Sequence, residues 1–248
     1  MSLVTDARKR DLPSFSRELN VMAHVVDASD RDLRSVSTEL RRSMARGPVV
    51  MRKVAHLHGL VAGIKSGEVA IEGDSGDYLG VLNDGATIHV TGNAGRYLAD
   101  NMTRGMVIVE GNASYGAAPY CYGGTVVVKG NAGDFTAVMN KGATIIIGGN
   151  VGDDVATYML AGEVVIVGNA GKNLGNYLIR GNIYIGGEWA NLGHNTRLEP
   201  MTEADQAKLR GYFDEYGIEA DPETFQKIGR LSEKPFYKAK APVQPEAR

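Results

Sequence analysis

The chain has 248 residues, 43% hydrophobic and 23% charged, which is ordinary for a protein that buries a core. A formal net charge of −2 excludes the concentrated basic surface that nucleic acid or an anionic membrane would require. The single cysteine, Cys121, excludes an intrachain disulfide and a thiolate metal cage, while 32 glycines are nearly twice the usual share.

The N-terminal stretch "MSLVTDARKRDLPSFSREL" lacks the apolar core of a signal peptide. No run approaches the ~18 apolar residues of a membrane span, so a cytoplasmic location is expected. Residues 1–47 read as an N-terminal capping segment with one helix, carried by "SDRDLRSVSTELRRSMARGP". Ser29 is its expected N-cap and Asp32 closes a capping box. Leu33, Val36, Leu40 and Met44 supply an apolar stripe, and Gly47-Pro48 the stop.

Residues 48–196 repeat. "GDSG" at 73, "GNAG" at 92, 130 and 168, "GNAS" at 111, "GNVG" at 149 and "GEWA" at 187 are spaced by 19 residues throughout. Four and two places before each first glycine stand Val69/Ile71, Ile88/Val90, Val107/Val109, Val126/Val128, Ile145/Ile147, Val164/Ile166 and Ile183/Ile185. All fourteen are β-branched, while the residue between them varies (Ala70, His89, Ile108, Val127, Ile146, Val165, Tyr184). Alternation with one constant face is the period of a strand, and stiff β-branched side chains suit a pleated surface. No unit holds ten glycine-free residues with a helical stripe, so each unit is one coil of a solenoid.

The fold predicted is a right-handed, single-stranded parallel β-helix of about seven coils, roughly 34 Å long at ~4.8 Å per coil. The corner glycines are expected to adopt positive φ, with further corners at Gly85, Gly105, Gly124, Gly142, Gly162 and Gly181. Asn93, Asn112, Asn131, Asn150 and Asn169 would stack as an amide ladder.

A solenoid leaves an open edge at each end, and the flanking helices are expected to cover them. Residues 197–248 read as a C-terminal helical cap and tail. "TEADQAKLRGYFDEYG" has Thr202 as N-cap, Asp205 closing the box and Gly217 as terminator, with Leu209, Tyr212, Phe213 and Tyr216 facing the protein. A short further helix is expected from Asp221-Pro222 to Gly229, and "KAKAPVQPEAR" reads as a loose tail.

Chemistry-bearing patterns are sparse. No glycine motif follows a strand and opens a helix in the manner of a nucleotide site. His56 and His58 lack a third ligand at convincing spacing, His89 reads as a surface residue, and His194 as a structural corner histidine. Cys121 has no adjacent base and reads as a packed thiol. Asp153 and Asp154, adjacent in sequence, would point apart, which is poor geometry for acid/base work. No catalytic, cofactor-binding or metal residue is therefore assigned. Tyr78, Tyr97, Tyr115, Tyr120, Tyr122, Tyr158, Tyr177 and Tyr184 either fill wide corners or form an aromatic binding face, with protein favoured over sugar as its ligand.

From about Val61 to Arg197 the sequence resembles the GXGXG domain of glutamate synthases. The resemblance rests on "GDYLGVLNDGATI", "GNAGRYLADNM", "YCYGGTVVVKGNAGDFTAVMNKGATIIIGGNVGD", "GNAGKNLGNYLIRGNIYIGGEW" and "LGHNTR", and on the ending "FQKIGRLSEKPFYK". In large glutamate synthases that domain is a C-terminal β-helix behind amidotransferase and FMN/iron–sulfur synthase domains. Standing apart from them, it resembles the separate subunit of heteromeric relatives, above all N-methylglutamate synthase of methylamine metabolism. Formylmethanofuran dehydrogenase has a component with similar repeats, and an independent ligand-binding solenoid is the other alternative. The resemblance implies a non-catalytic scaffold bracing an amidotransferase-like and an FMN-binding synthase-like subunit, with FMN and an iron–sulfur cluster in the latter and no cofactor in this chain.

Overall fold

The computed structural model describes residues 23–233. The strands are β1 (His24–Asp27), β2 (Val49–Arg52), β3 (Glu68–Glu72), β4 (Asp84–Val90), β5 (Arg104–Val109) and β6 (Thr125–Val128). β7 (Lys141–Ile147), β8 (Ala161–Ile166), β9 (Asn182–Ile185), β10 (Thr196–Glu199) and β11 (Gln226–Arg230) complete them. They join in one sheet, consecutive from β1 to β9 and then β11 and β10. Neighbours from β1 to β9 are all parallel, and from β3 onward partners lie one 19-residue repeat apart, as in Val69↔Ile88, Val107↔Val126 and Val164↔Ile183. The chain is a parallel β-solenoid of about seven turns.

The constant face lines its interior. All fourteen β-branched positions have 0% exposure, and Val49 and Met51 of β2 continue the column by one coil. Helix α1 (Leu33–Met44) packs Val36 and Leu40 into the same core, with Met44 against it, and so covers the N-terminal end. Its N-cap is Asp32, which accepts from Ser35 N at 3.0 Å, and not the expected Ser29. The Ser29 N–H and hydroxyl are both taken by Asp27, so Ser29 belongs to the preceding turn. Leu33 consequently sits on the solvent side of the first helical turn.

The expected positive φ at the seven repeat corners is found at Gly73 alone; Gly92, Gly111, Gly130, Gly149, Gly168 and Gly187 lie outside that region. These six are glycine because the neighbouring coil is too close. A Cβ on Gly130 would stand 2.5 Å from Asn112 Oδ1 and 2.8 Å from the Gly111 carbonyl oxygen. Positive φ is found instead at the further corners, at the start of the strands or just before them, such as Gly105 at φ +94° and Gly181 at φ +92°.

The other αL positions were invisible in the sequence. Nineteen non-glycine residues among those described have positive φ, several times the few per cent usual for folded chains. Most fall five, seven and nine places after a repeat glycine, as with Tyr97, Ala99 and Asn101 or Phe135, Ala137 and Met139. Each costs of order 1–2 kcal/mol in isolation. The alternation aims successive N–H groups at opposite neighbours. Tyr97 N donates forward to the Tyr115 carbonyl, Ala99 N back to Leu79, and Asn101 N forward to Pro119. The residues between them close turns within the coil, Asp100 N to the Tyr97 carbonyl and Met102 N to that of Ala99. Every coil therefore holds its neighbours in the strained arc, and the strain is offset by a continuous ladder.

The C-terminal segment closes the end of the column with a strand and not with the helix expected there. Helix α2 (Glu203–Tyr216) has the expected Thr202/Asp205 capping box and Gly217 terminator at φ 62°. It lies along the outer face of the sheet, where Leu209, Phe213 and Tyr216 bury Ile108, Val127, Ile146, Val165 and Tyr184. The end is closed by β11, which pairs antiparallel with β9 and with β10. Asp221-Pro222 opens only a single 3₁₀ turn, Pro222–Thr224, where a longer helix was expected. The unpaired edge of β9 draws the next residues into a strand, setting Ile228 opposite Ile183 with 0% exposure.

Candidate interaction surface

The outer corner of the coils carries an aromatic ribbon. Tyr78 and Tyr97 stack at 4.8 Å between centroids, Tyr115 meets Tyr97 edge-on at 5.6 Å, and Phe135 follows at 5.4 Å. Tyr78, Tyr97 and Phe135 have left-handed backbones that turn their rings outward. At Gly116 the column residue has no side chain, and Tyr115 supplies the ring from one place earlier. Four places further along their turns Leu82 and Tyr120 are exposed, and Tyr122, two places beyond Tyr120, is 55% exposed. Lys141 Nζ rests 3.9 Å from the Tyr122 ring centroid and 5.7 Å from that of Tyr120. A second run, Tyr158–Tyr177–His194, has centroid spacings of 5.2 and 4.8 Å. Of the eight tyrosines singled out by sequence, Tyr184 does not belong to this corner; it lies on the outer sheet face, fully buried under α2.

The asparagine ladder exists in a modified form. Each side-chain Oδ1 accepts the backbone N–H of the next coil: Asn93 from Asn112 (2.9 Å), Asn112 from Asn131 (2.8 Å), Asn131 from Asn150 (2.7 Å) and Asn150 from Asn169 (2.8 Å). Asp74 begins the series beneath Asn93, and Glu188 N ends it above Asn169. A shorter carboxylate ladder runs beside it: Asp77 accepts from Arg96 N, Asp134 from Asp153 N, and Asp153 from Lys172 N. Asp153 and Asp154 are thus both structural, Asp154 accepting from the Asn173 amide at 3.1 Å.

Under α2 lies a second polar cluster. Asp205 accepts from the Tyr184 hydroxyl at 2.7 Å, from Thr202 and from Lys227 Nζ at 3.1 Å. Burial opposes ionisation of Asp205, but the Tyr184, Thr202 and Lys227 donors outweigh it and hold its carboxyl far below the usual range. Glu163 binds Lys208 and accepts from the Tyr212 hydroxyl at 2.9 Å. Burial, reinforced by Glu163, pushes Tyr212 up to about 12. Glu163 of β8 takes its donors from α2, and Asp205 of α2 takes Tyr184 from β9 and Lys227 from β11, so the cluster fastens α2 to the sheet.

The remaining candidates separate. His89 is not a surface residue: it is buried on the outer sheet face, its Nε2 2.8 Å from Glu110, which also meets Lys129 at 2.9 Å. His56 Nε2 bonds the Arg31 carbonyl and His58 Nδ1 accepts from Asp77 N. Cys121 is buried, its Sγ 3.2 Å from the Ala99 carbonyl, and burial pushes the thiol up to about 12. Among the described residues no group of three or more His, Cys, Asp or Glu is placed to hold a metal ion. Nor is any described helix long and apolar enough to cross a membrane.

Fold and surface together define a β-solenoid with internally satisfied ladders and one exposed aromatic corner. Residues 42–221 match the model of the GXGXG motif family, which covers well over half of the chain. The chain belongs to the GXGXG motif family, whose domain is associated with glutamate synthases. No curated protein matches it.

Proposed function

We propose that this chain is a cytoplasmic, non-catalytic assembly subunit of a glutamate synthase-like complex, and specifically of N-methylglutamate synthase. It would brace an amidotransferase-like subunit and an FMN-binding synthase-like subunit, the latter also holding an iron–sulfur cluster. The observation that carries this reading is the GXGXG family match across residues 42–221. The internal use of the polar side chains supports it: the Asn and Asp ladders join coil to coil, and the Glu163 and Asp205 clusters fasten α2.

The test is to tag the full chain in its native host, isolate it gently and identify bound subunits by mass spectrometry. The expected result is a colourless chain by itself and a flavin-coloured complex containing both partner types. Turnover of glutamine or an amine by the isolated chain, or a complex lacking both partners, would overturn the reading.

A further inference from the structure

We infer that the outer corner of the first coils, centred on Tyr78, Tyr115, Tyr120 and Tyr122, is the docking surface for a partner protein that presents apolar side chains flanked by carboxylates. The inference rests on the assembly role proposed above and adds to it the face used and the chemistry of the partner.

Two independent observations carry it. First, the ribbon is exposed at Tyr78 and Tyr115 and half-buried between and beyond them: its rings contact one another in series, and Leu82, Tyr120 and Tyr122 extend the exposed apolar surface across the same turns. A ridge of ring edges offers a small ligand no enclosure, but it offers a protein several rigid, amphipathic anchors at low entropy cost. Second, the charges around it are unbalanced in their pairing. The acidic groups are already engaged: Asp77 on Arg96 N–H at 2.8 Å, Asp84 on Arg104 at 2.9 Å, and Asp100 on the Asn101 amide at 2.8 Å. Among the described residues the cations Lys65 and Arg96 are exposed and form no direct ion pair, and the Lys141 ammonium rests on the Tyr120 and Tyr122 rings. A partner carrying carboxylates around an apolar centre would give Lys65, Arg96 and Lys141 the direct ion pairs they lack among the described residues of this face.

The experiment is nitration of exposed tyrosines with tetranitromethane, read site by site by mass spectrometry. It compares the full chain by itself with the complex isolated from the native host. Tyr78, Tyr115, Tyr120 and Tyr122 should react in the isolated chain and be protected in the complex. Lys141→Glu and Tyr122→Ser should each weaken partner binding about tenfold with unchanged melting temperature, whereas Arg210→Glu on the exposed side of α2 should not.

If the synthase-like and amidotransferase-like partners are bound while these tyrosines stay reactive, the docking proposal is overturned and the assembly role stands. If a different kind of protein protects them, the docking surface stands and the assembly role falls. Protection that rises with concentration in the isolated chain identifies a second copy as occupant and overturns the proposal. A chain recovered alone with reactive tyrosines overturns both.

Discussion

Gly130→Ala adds one methyl group at a repeat corner and separates two explanations of why glycine recurs there. If glycine supplied positive φ, the relevant cost would be conformational. Gly130 has no positive φ, and its restriction is the coil beneath it. The new Cβ would lie 2.5 Å from Asn112 Oδ1 and 2.8 Å from the Gly111 oxygen, about 0.9 and 0.6 Å inside the 3.4 Å onset of ordinary contact. The Asn112 side chain can rotate away, but it then abandons the Asn131 N–H it accepts from at 2.8 Å. The Gly111 oxygen cannot retreat without stretching its bond from Gly130 N, now 3.0 Å. Losing one ladder bond and leaving its donor poorly satisfied costs about 1–3 kcal/mol, and local overpacking about 1–3 kcal/mol more. The expected total is about 2–5 kcal/mol, read as a lowered urea midpoint at constant m-value. Two controls frame it. Gly63, at φ +61° with open space around a Cβ, should accept Asn at a cost below about 1 kcal/mol. Gly211, inside α2 with nothing within 4 Å, should gain about 0.5–1 kcal/mol as Ala. If Gly130→Ala lies within about 0.5 kcal/mol of the wild type, the close-approach explanation is wrong.

Val126→Asp places an unpaired carboxylate at a fully buried column position and should cost several kcal/mol or abolish folding, visible as lost far-UV dichroism. Deleting one whole 19-residue unit such as 111–129 should leave a shorter folded solenoid, whereas deleting about ten residues should not, because partners recur once per repeat; equal folding of the two would refute the register. Asp205 has a lowered folded pKa, so its contribution to α2 docking is present above the unfolded carboxylate value near ~4 and is lost as pH falls through the folded value. Protection of the α2 amides, taken relative to their intrinsic exchange rates, should therefore fall selectively in acid, and Asp205→Asn should remove that pH dependence. Cys121, with its thiol near 12 and its side chain buried, should resist iodoacetamide at pH 8 in the folded protein and react fully in denaturant.

The column of valine and isoleucine was legible because one face of the strand never changes. The opposite face misled because it has two environments. Ile108, Val127, Ile146, Val165 and Tyr184 lie beneath α2, and His89 is buried on the same face, so a position that varies in sequence is not thereby exposed. Nothing in the local pattern around His89 marks its 2.8 Å contact with Glu110, since that partner lies one coil further on. The helix expected after Asp221-Pro222 failed for a related reason. The local signal starts a turn equally well in a 3₁₀ segment, and the open edge of β9 decided what followed. Ser29 and Asp32 show the same competition at short range, where Asp27 claimed the serine before it could cap.

The left-handed positions show the competition between local and stacked structure most fully. Tyr78, Tyr97, Phe135 and Ala137 are residues that propensity would keep out of αL, and no reading of one coil would place them there. Each donates its N–H to one neighbouring coil, Tyr78, Tyr97 and Phe135 to the next and Ala137 to the one before, so the conformation belongs to the stack and not to the single repeat. The exposed aromatic ribbon is the consequence. In an extended strand successive side chains would alternate between the two faces. At the start of the arc the αL tyrosines Tyr78 and Tyr97 turn outward while the next residues, Leu79 and Leu98, are buried in the core. The same strain that makes the corner expensive to build therefore sets the rings in line along the axis, and a surface that looked like loose sequence variation is fixed as firmly as the core.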